Sequence, residues 1–472
     1  MAAVDGLAFT PALEQARLVL EGEVSPVDLV EAYARRIEDL DGRIGAYLTL
    51  CLGRALEEAR AAQEAVARGP AGLGPFHGVP ISIKDLYDTA GVRTTYGSGA
   101  YADHVPVADE ESVRRIRAAG FLVIGKTNTP EFGSVPWTEP RAFHPCRNPW
   151  NLERTPGGSS GGAAAAVAAG LCPVAQASDG GGSIRIPASV CGVFGIKPSR
   201  GRVTAAPGPA HMLSQRGPIA RTVADAAALL DVMAGPAPGD PWWAEPPARP
   251  FLAEARDERD PDRLRIAFTP KAIAPVDVAA ANVGAVEEAA SLLESLGHEV
   301  REEAPPAGED LLYRFPVLWA VAMASREPRP DLDLVEPLNR ELIRMGDATT
   351  AADYQRTWAD IQRSLRPVGE FFERVDVLLS PTVATGPPLI GEFRNDEQPL
   401  MELIRAGSFT PFTSLWNVTG QPAASVPWTL DPDGLPVGVQ LIGRMFDEAT
   451  LIRVAAQVER ARPWIDRRPP IA

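Results

Sequence analysis

The chain has 472 residues, of which 45% are hydrophobic and 23% are charged, the ordinary balance of a globular protein with a buried core. Its formal net charge of −15 argues against nucleic acid as the main ligand, because binding to phosphate groups needs a basic surface. No apolar run approaches the ~18–20 residues that cross a bilayer, and residues 1–15 lack the pattern of a signal peptide, so we expect a cytoplasmic protein with no membrane partner.

Residues 1 to about 70 are predicted to form a helical arm. Ser25 followed by Pro26 is typical of a helix start, and a second helix, rich in alanine and glutamate, is predicted for Leu52–Arg68. Apolar side chains recur at helical spacing after the first start: Leu29, Tyr33, Ile37 and Leu40. We expect the arm to pack outside the main body or at a subunit interface, and the pattern agrees with a homodimer as well as with a monomer.

Short apolar runs alternate with amphipathic helical patterns along the rest of the chain. The helical patterns include Glu110–Ala119 and Val223–Met233. The predicted strands are Val79–Ile83, Leu122–Ile124, Val174–Ala177, Val193–Ile196, Arg265–Phe268, Val375–Leu379, Ala424–Trp428 and Val437–Ile442. This alternation predicts an α/β protein over residues 1–472, a single large domain with a central twisted mixed sheet covered by helices on both faces.

Two segments interrupt the alternation. The proline-rich stretch 237–250 is predicted to be a surface excursion, and its Trp242 and Trp243 are either part of a substrate lip or a clamp that holds a long loop. Residues 305 to about 408 are predicted to be helical with proline-rich breaks.

The cysteines and histidines predict neither a metal site nor a cofactor. Cys51, Cys146, Cys172 and Cys191 are widely spaced without a C-x-x-C pair, which is typical of buried thiols in a reducing compartment. The five histidines form no H-E-x-x-H or other close pair of metal ligands.

The stretch Arg154–Pro187 holds two serine sites embedded in glycine, Ser159 with Ser160 and then Ser183. A flexible linker is disfavoured because each site lies between an apolar strand-like run and another ordered block. A phosphate-binding loop is disfavoured because neither G-x-x-x-x-G-K-[ST] nor G-x-G-x-x-G is present in this stretch. The G-x-S-x-G elbow also fails, because Arg185 stands where its second glycine is required.

Lysine is rare in this chain, which makes its positions informative. Only four of the 46 basic residues are lysines: Lys84, Lys126, Lys197 and Lys271. Arginine serves wherever a fixed positive charge is enough, so a retained lysine favours a position that needs a deprotonatable amine. Lys84 lies in GVPISIKD, upstream of the serine sites, and is the strongest candidate for such a role.

These blocks together resemble the amidase signature family, serine hydrolases with a Ser–cis-Ser–Lys triad. GGSSGG, D-x-G-G-S-I-R-I-P and CGVFGIKP follow one another in family order, and GVPISIKD, GKTNTPEFG and RNPWN extend the match over a signature core of about 71–235. The resemblance implies that Ser183 is the nucleophile, that Ser159 bridges after a cis Gly158–Ser159 peptide bond, and that Lys84 is the base.

Amide hydrolysis also needs an oxyanion site, which Gly180, Gly181 and Gly182 can supply because a backbone without side chains can aim successive N–H groups at one point. The family usually has a larger residue at position 180, so a looser oxyanion site is expected here. Asp179 and Arg185 are implied to hold Ser160 and the lysine in place, and a plain structural salt bridge between them is equally compatible with the sequence.

The C-terminal block Phe412–Arg444 resembles that of stand-alone bacterial amidases, which implies a small-molecule amide substrate of the acylamide, ω-amino-acid oligomer or carbamate type. Variation in the 305–408 region is implied to set substrate choice. An apolar acyl pocket is expected from Phe132, Val135, Trp137 and Ile186, with Trp416 nearby, although core packing explains each of them equally well.

Two alternative functions stay open at this point. The first is the glutaminase subunit of a tRNA-dependent amidotransferase, which is disfavoured because the chain reads S-I-R-I-P where that subunit reads S-I-R-Q-P. The second is a non-catalytic binding protein, which is disfavoured because Lys84, Ser159 and Ser183 are all retained.

Overall fold

A computed structural model describes residues 6–210, 212–307 and 310–472. The strands of this part of the chain form one mixed sheet with eleven members, in the order β1-β3-β2-β4-β6-β5-β10-β11-β9-β7-β8. The strands are β1 Tyr47–Leu50, β2 Pro80–Lys84, β3 Leu122–Thr127, β4 Val174–Asp179, β5 Phe194–Lys197, β6 Gln215–Ala220, β7 Arg265–Phe268, β8 Glu299–Glu302, β9 Val377–Pro381, β10 Ala423–Leu430 and β11 Pro436–Gly443.

Helices flank this sheet, as the alternating pattern predicts. Those before residue 300 are α1 Ala12–Leu20, α2 Pro26–Ile44, α3 Leu52–Ala67, α4 Glu111–Ala118, α5 Gly161–Ala168, α6 Arg185–Cys191, α7 Val223–Met233, α8 Phe251–Ala255 and α9 Ala280–Ser295. The later ones are α10 Asp310–Ala324, α11 Pro337–Ala348, α12 Ala351–Ser364, α13 Arg366–Arg374, α14 Met401–Phe409, α15 Leu415–Thr419 and α16 Glu448–Ala461. The predicted α/β class with a central mixed sheet is confirmed.

The sheet combines parallel and antiparallel neighbours. Strand β2 lies parallel to both β3 and β4, and β7 lies parallel to β8 and β9. Between these two parallel parts, β6, β5, β10 and β11 pair in antiparallel fashion. The parallel part around β2 and β4 matters most here, because parallel neighbours end at the same edge of a sheet.

All eight predicted strands are present, and three strands were missed for local reasons. Strand β1 has only four residues. Strand β6, QRGPIA, contains glycine and proline, which are depleted in strands. Strand β8, EVRE, lies at the end of the sheet, has only four residues, and three of these are charged.

The helix boundaries follow the local sequence signals. At the start of α2, the Ser25 hydroxyl accepts hydrogen bonds from the backbone N–H groups of Val27 and Asp28. Every residue of α5 is buried, and its small side chains allow a close approach to the sheet. A Cβ atom at Gly162 would clash with backbone atoms of Asn128 and Ala46, so this position requires glycine. Among the described helices none is long and apolar enough to span a membrane.

Candidate active site

The site is assembled where two neighbouring parallel strands end. Lys84 is the last residue of β2 and Asp179 the last residue of β4, and these strands pair through Ser82 and Ala175. Both side chains are fully buried. The loop before α5 brings Ser159 to the same edge, and the loop after β4 brings Ser183.

Three serine hydroxyls surround the Lys84 amine. Lys84 Nζ lies 2.8 Å from Ser159 Oγ, 2.8 Å from Ser160 Oγ and 3.2 Å from Ser178 Oγ. Burial lowers the pKa of the Lys84 ammonium well below its ordinary value, against the smaller opposing effect of the Asp179 charge. The geometry therefore suits a neutral amine that exchanges protons with hydroxyl groups.

Ser183 lies between this buried group and an open cavity. Its side chain lines the cavity and retains 8% exposure, whereas Ser159 is 2% exposed. The backbone N–H of Ser160 donates to the carbonyl of Ser183 over 3.2 Å, which fixes one serine loop against the other. The Gly158–Ser159 peptide bond is cis. Among the described residues no hydrogen bond joins Ser159 Oγ to Ser183 Oγ, and catalytic hydrogen bonds are often long before substrate binds.

Asp179 is held as a buried carboxylate by the residues that follow it. Arg185 Nε and Nη2 donate to its two oxygens over 2.9 and 2.8 Å, and the backbone N–H groups of Gly182 and Ile184 donate over 2.8 and 3.1 Å. Burial alone would raise the pKa of Asp179, but the Arg185 charge and hydrogen bonds hold it well below its ordinary range. The carboxylate thereby shapes the turn that presents Ser183.

A further ring of polar residues around Arg185 was not predicted from the sequence. Arg185 Nη1 donates to Gln440 Oε1 over 2.6 Å and to the Thr413 carbonyl over 3.0 Å, and Nη2 donates to Asn417 Oδ1 over 2.7 Å. The Asn417 amide donates in turn to the Asp179 carboxylate and carbonyl, both over 2.8 Å. These residues lie in the C-terminal block that carries the resemblance, but nothing in their spacing assigned them to this site.

The sequence suggested the N–H of Gly182 as one of three oxyanion donors, but the structure gives this N–H another partner. Its N–H is already donated to Asp179 Oδ1, and the carbonyl at the other side of the same peptide unit, on Gly181, accepts from Thr413 Oγ1 over 2.6 Å. This peptide unit is therefore fixed at both sides. Of the three glycines, Gly180 and Gly181 keep backbone N–H groups for which the described residues supply no acceptor.

The cavity in front of Ser183 has a volume of about 160 Å³ and mostly apolar walls. Val135 and Ile186, two of the residues named from the sequence as candidates for an acyl pocket, line it next to Ser183 and Gly181. The remaining lining residues were not predicted; they are Gly133, Ser134, Pro136, Phe315, Pro316, Trp319, Leu403, Ala406, Gly407, Thr410 and Ser414. None of them carries a charge, and those from α10 and α14 belong to the segment in which the sequence shows no motif.

A model of the Amidase family matches residues 28–452 of the chain. The chain belongs to the amidase family. The putative amidase AmiB2 of Mycobacterium tuberculosis is 45% identical over 99% of both chains. The solved structure of a 6-aminohexanoate cyclic dimer hydrolase in complex with its substrate is 35% identical, covers 98% of this chain and 99% of its own, and superposes with a TM-score of 0.92.

The amidotransferase alternative is structurally more distant from this amidase. A glutamyl-tRNA(Gln) amidotransferase subunit from Thermotoga maritima is 31% identical, covers 97% of this chain and 96% of its own, and has a TM-score of 0.77. The prediction of an amide hydrolase that resembles stand-alone enzymes is thus confirmed. In the described part of the amidase, no cluster of side chains could hold a metal ion.

Three aromatic residues that were expected at the acyl pocket do not line the cavity of this amidase. Phe132 packs edge-on against Tyr101 with ring centroids 6.1 Å apart, and Trp137 packs against Phe393 at 5.4 Å. Trp416 points into a different cluster, 6.0 Å from Phe372. Nearness to a motif along the chain placed these rings close to the site but did not determine which way they face.

The Trp242–Trp243 pair also lies away from this cavity. Trp242 lines a separate small cavity together with Thr204 and Ser214, and both tryptophans are exposed at the surface. Neither tryptophan lines the cavity in front of Ser183.

Proposed function

We propose that this amidase hydrolyses small amides with an uncharged, apolar acyl group through an acyl-enzyme on Ser183. The observation that carries the proposal is the position of Ser183 at the inner wall of a cavity in which none of the described lining residues is charged. An apolar cavity of ~150 Å³ accommodates one benzene molecule, so a cavity of about 160 Å³ fits an acyl group with one ring or a short alkyl chain.

The proposed reaction begins with attack by Ser183 Oγ on the amide carbonyl carbon. The Ser183 proton passes to Ser159 Oγ, whose own proton passes to the neutral Lys84 amine, 2.8 Å away. The N–H groups of Gly180 and Gly181 stabilise the negative charge that develops on the carbonyl oxygen.

The same groups then return the proton. As the C–N bond breaks, Ser159 gives a proton to the leaving nitrogen and takes one from the Lys84 ammonium. Water attacks the acyl-serine with proton transfer along the same route, which releases the carboxylic acid and restores Ser183. The lowered pKa of Lys84 suits both proton transfers, because the amine is free to accept a proton and the ammonium then releases it readily.

The cavity also argues against free glutamine as the substrate, and so against the partner-dependent glutaminase function. Free glutamine carries an ammonium and a carboxylate, and burying either one without a paired side chain is costly. Among the described residues of the wall around Ser183, none carries a charge that would pair with either group. Esters and carbamates of the same acyl shape remain candidate substrates, since the serine can attack their carbonyl carbon in the same way.

The test is p-nitroaniline release by the purified chain, run beside Ser183→Ala. The butyryl and succinyl anilides form the decisive pair, because they have similar length and differ by one carboxylate. We expect turnover of the butyryl compound that is lost in Ser183→Ala, and a kcat/KM for the succinyl compound lower by about 100-fold or more. Equal turnover of the two would contradict the proposal, as would hydrolysis of glutamine alone.

The same preparation addresses two further expectations. Light scattering distinguishes a monomer from the homodimer that the N-terminal helices α2 and α3 are expected to allow. The expected location is the cytoplasm, which fractionation of the source cells would test.

A further inference from the structure

The side chain of Trp319, on α10, occupies the space in front of Gly180. A Cβ atom built on Gly180 would lie 2.9 Å from Trp319 Cη2, closer than Cβ atoms approach other atoms in proteins, and 3.0 Å from Cζ3. The backbone of Gly180 is thus covered directly by the far edge of the indole ring. The sequence suggested a looser loop at this glycine, whereas the structure shows that a distant residue fills the vacant volume.

Other contacts hold the indole ring in this position. Its Nε1 donates over 3.2 Å to the carbonyl of Ser134, another residue that lines the cavity. Its face stacks on Phe315, with ring centroids 5.6 Å apart and an angle of 19° between the ring planes. Trp319 therefore spans the cavity from the wall at Ser134 to the loop that carries Ser183.

We propose that Trp319 determines the size of acyl group that this amidase accepts, and that Gly180 is the position that allows it to do so. The inference rests on the proposed function, because it concerns the same cavity and the same reaction. The ring is one of the largest side chains lining the cavity, and it touches the loop at a position only three residues before the nucleophile along the chain. Its removal enlarges the cavity, and a side chain at position 180 displaces the ring into it.

The first experiment compares two anilides with the same leaving group, benzoyl-p-nitroanilide and 2-naphthoyl-p-nitroanilide. Trp319→Leu is expected to raise the naphthoyl-to-benzoyl ratio of kcat/KM by about 10-fold or more, the scale on which pockets discriminate by size. Trp243→Leu is the matched control, since Trp243 is an exposed tryptophan outside the cavity, and its ratio should equal that of the wild type. A ratio in Trp319→Leu within about twofold of the wild type would overturn the inference.

The second experiment tests the pairing of the two residues. Gly180→Ala should lower kcat/KM for the benzoyl anilide by about 10-fold, because the new methyl group pushes the indole toward the substrate. In the double variant Gly180→Ala/Trp319→Leu this loss should largely disappear, since leucine has no atoms where Cη2 and Cζ3 lie. Gly181→Ala is the control: its Cβ would lie 3.4 Å from Phe315 Cζ, an ordinary contact, so Trp319→Leu should not rescue it. If the effects of Gly180→Ala and Trp319→Leu on kcat/KM were simply additive in free energy, the proposed coupling between the two residues would be overturned.

A binding measurement separates failure of this inference from failure of the proposed function. In the Ser183→Ala background, fluorescence titration with the two anilides reports the size preference without turnover. A wild type that cleaves no anilide refutes the proposed function. The role of Trp319 is still decided by comparing the ratio of the two dissociation constants with and without Trp319→Leu. If the wild type is active and Trp319→Leu leaves this ratio unchanged, the inference fails and the function stands.

Discussion

Lys84 is the residue whose replacement tests the chemistry most directly. Arginine keeps the positive charge but stays protonated, and methionine keeps much of the shape without a basic group. If the neutral amine accepts the proton, both Lys84→Arg and Lys84→Met should lose activity. A base in this role contributes about 10²–10⁴-fold, so the residual kcat/KM should fall at least that far.

The two variants should differ in stability, and the sign follows from the lowered pKa of Lys84. Burial in the folded protein disfavours the protonated amine, while the unfolded chain takes up a proton below the ordinary lysine pKa near 10.4, so proton uptake favours unfolding at lower pH. At pH values below both pKa values, each pKa unit by which folding lowers the pKa of Lys84 reduces the unfolding free energy by about 1.4 kcal/mol. Lys84→Met removes this cost, whereas Lys84→Arg buries a charge that cannot be neutralised.

Urea unfolding at several pH values measures the difference. We expect Lys84→Met to be more stable than the wild type near pH 7, with a gain that shrinks as the pH rises toward 10, and Lys84→Arg to be less stable throughout. For the wild type, kcat/KM should fall as the pH drops through the lowered pKa of Lys84. Near-native turnover by Lys84→Arg, or a wild-type activity that rises only near pH 10.4, would refute the reasoning.

Three other replacements test the surroundings of Lys84. Ser159→Ala should lower kcat by about 10²–10⁴-fold with an unchanged urea midpoint, and full activity would rule out its bridging role. Arg185→Met leaves the Asp179 carboxylate buried without its cation and should lower the unfolding free energy by about 3–5 kcal/mol at pH 7. The loss should be smaller at pH 4, because Asp179 of the variant can then take up a proton. An equal loss at both pH values would contradict the idea that Arg185 lowers the pKa of Asp179. Thr413→Val removes the hydroxyl that binds the Gly181 carbonyl and should lower kcat about 10-fold with KM unchanged, whereas a change confined to KM would place its effect on substrate binding.

The residues around Ser183, the proposed nucleophile, could be singled out from the sequence because their chemistry is local to short motifs. The glycine content before Ser183 and the rarity of lysine both point to unusual requirements at particular positions. The strand pattern then places Lys84 and Asp179 at the ends of two runs, and parallel pairing of those runs brings them together. That step needs only the periodicity of the strands and the position of each motif.

The ring of residues around Arg185 could not be predicted in the same way. Asn417 and Gln440 are more than 200 residues away from Arg185 along the chain, and they reach it only because β11 and the segment around α15 lie against α6. Their sequence context is apolar and typical of a core. The number of donors that a buried guanidinium must satisfy predicts that such partners exist, but it does not predict which residues they are.

The cavity in front of Ser183 shows the limit of motif-based prediction more clearly. Phe132 lies within the motif GKTNTPEFG and Trp137 follows it closely, but both face other clusters, whereas Val135 lines the cavity. In that loop, Phe132 has a positive φ of 56°, so the chain turns within a few residues and side-chain directions do not alternate regularly. Neither the periodicity of strands nor that of helices applies to such a segment.

Gly180 shows why an absent side chain cannot be interpreted from its neighbours in sequence alone. Three consecutive glycines indicate a flexible backbone when only local propensity is considered. In the folded protein, the volume left by the missing Cβ is filled by Trp319, which comes from α10, a helix without any recognisable motif. The conformational freedom of a glycine is therefore limited by whatever packs onto it. If Trp319 acts as proposed, the signature loop and the substrate-side helix cannot vary independently: a larger residue at position 180 requires a smaller one at position 319.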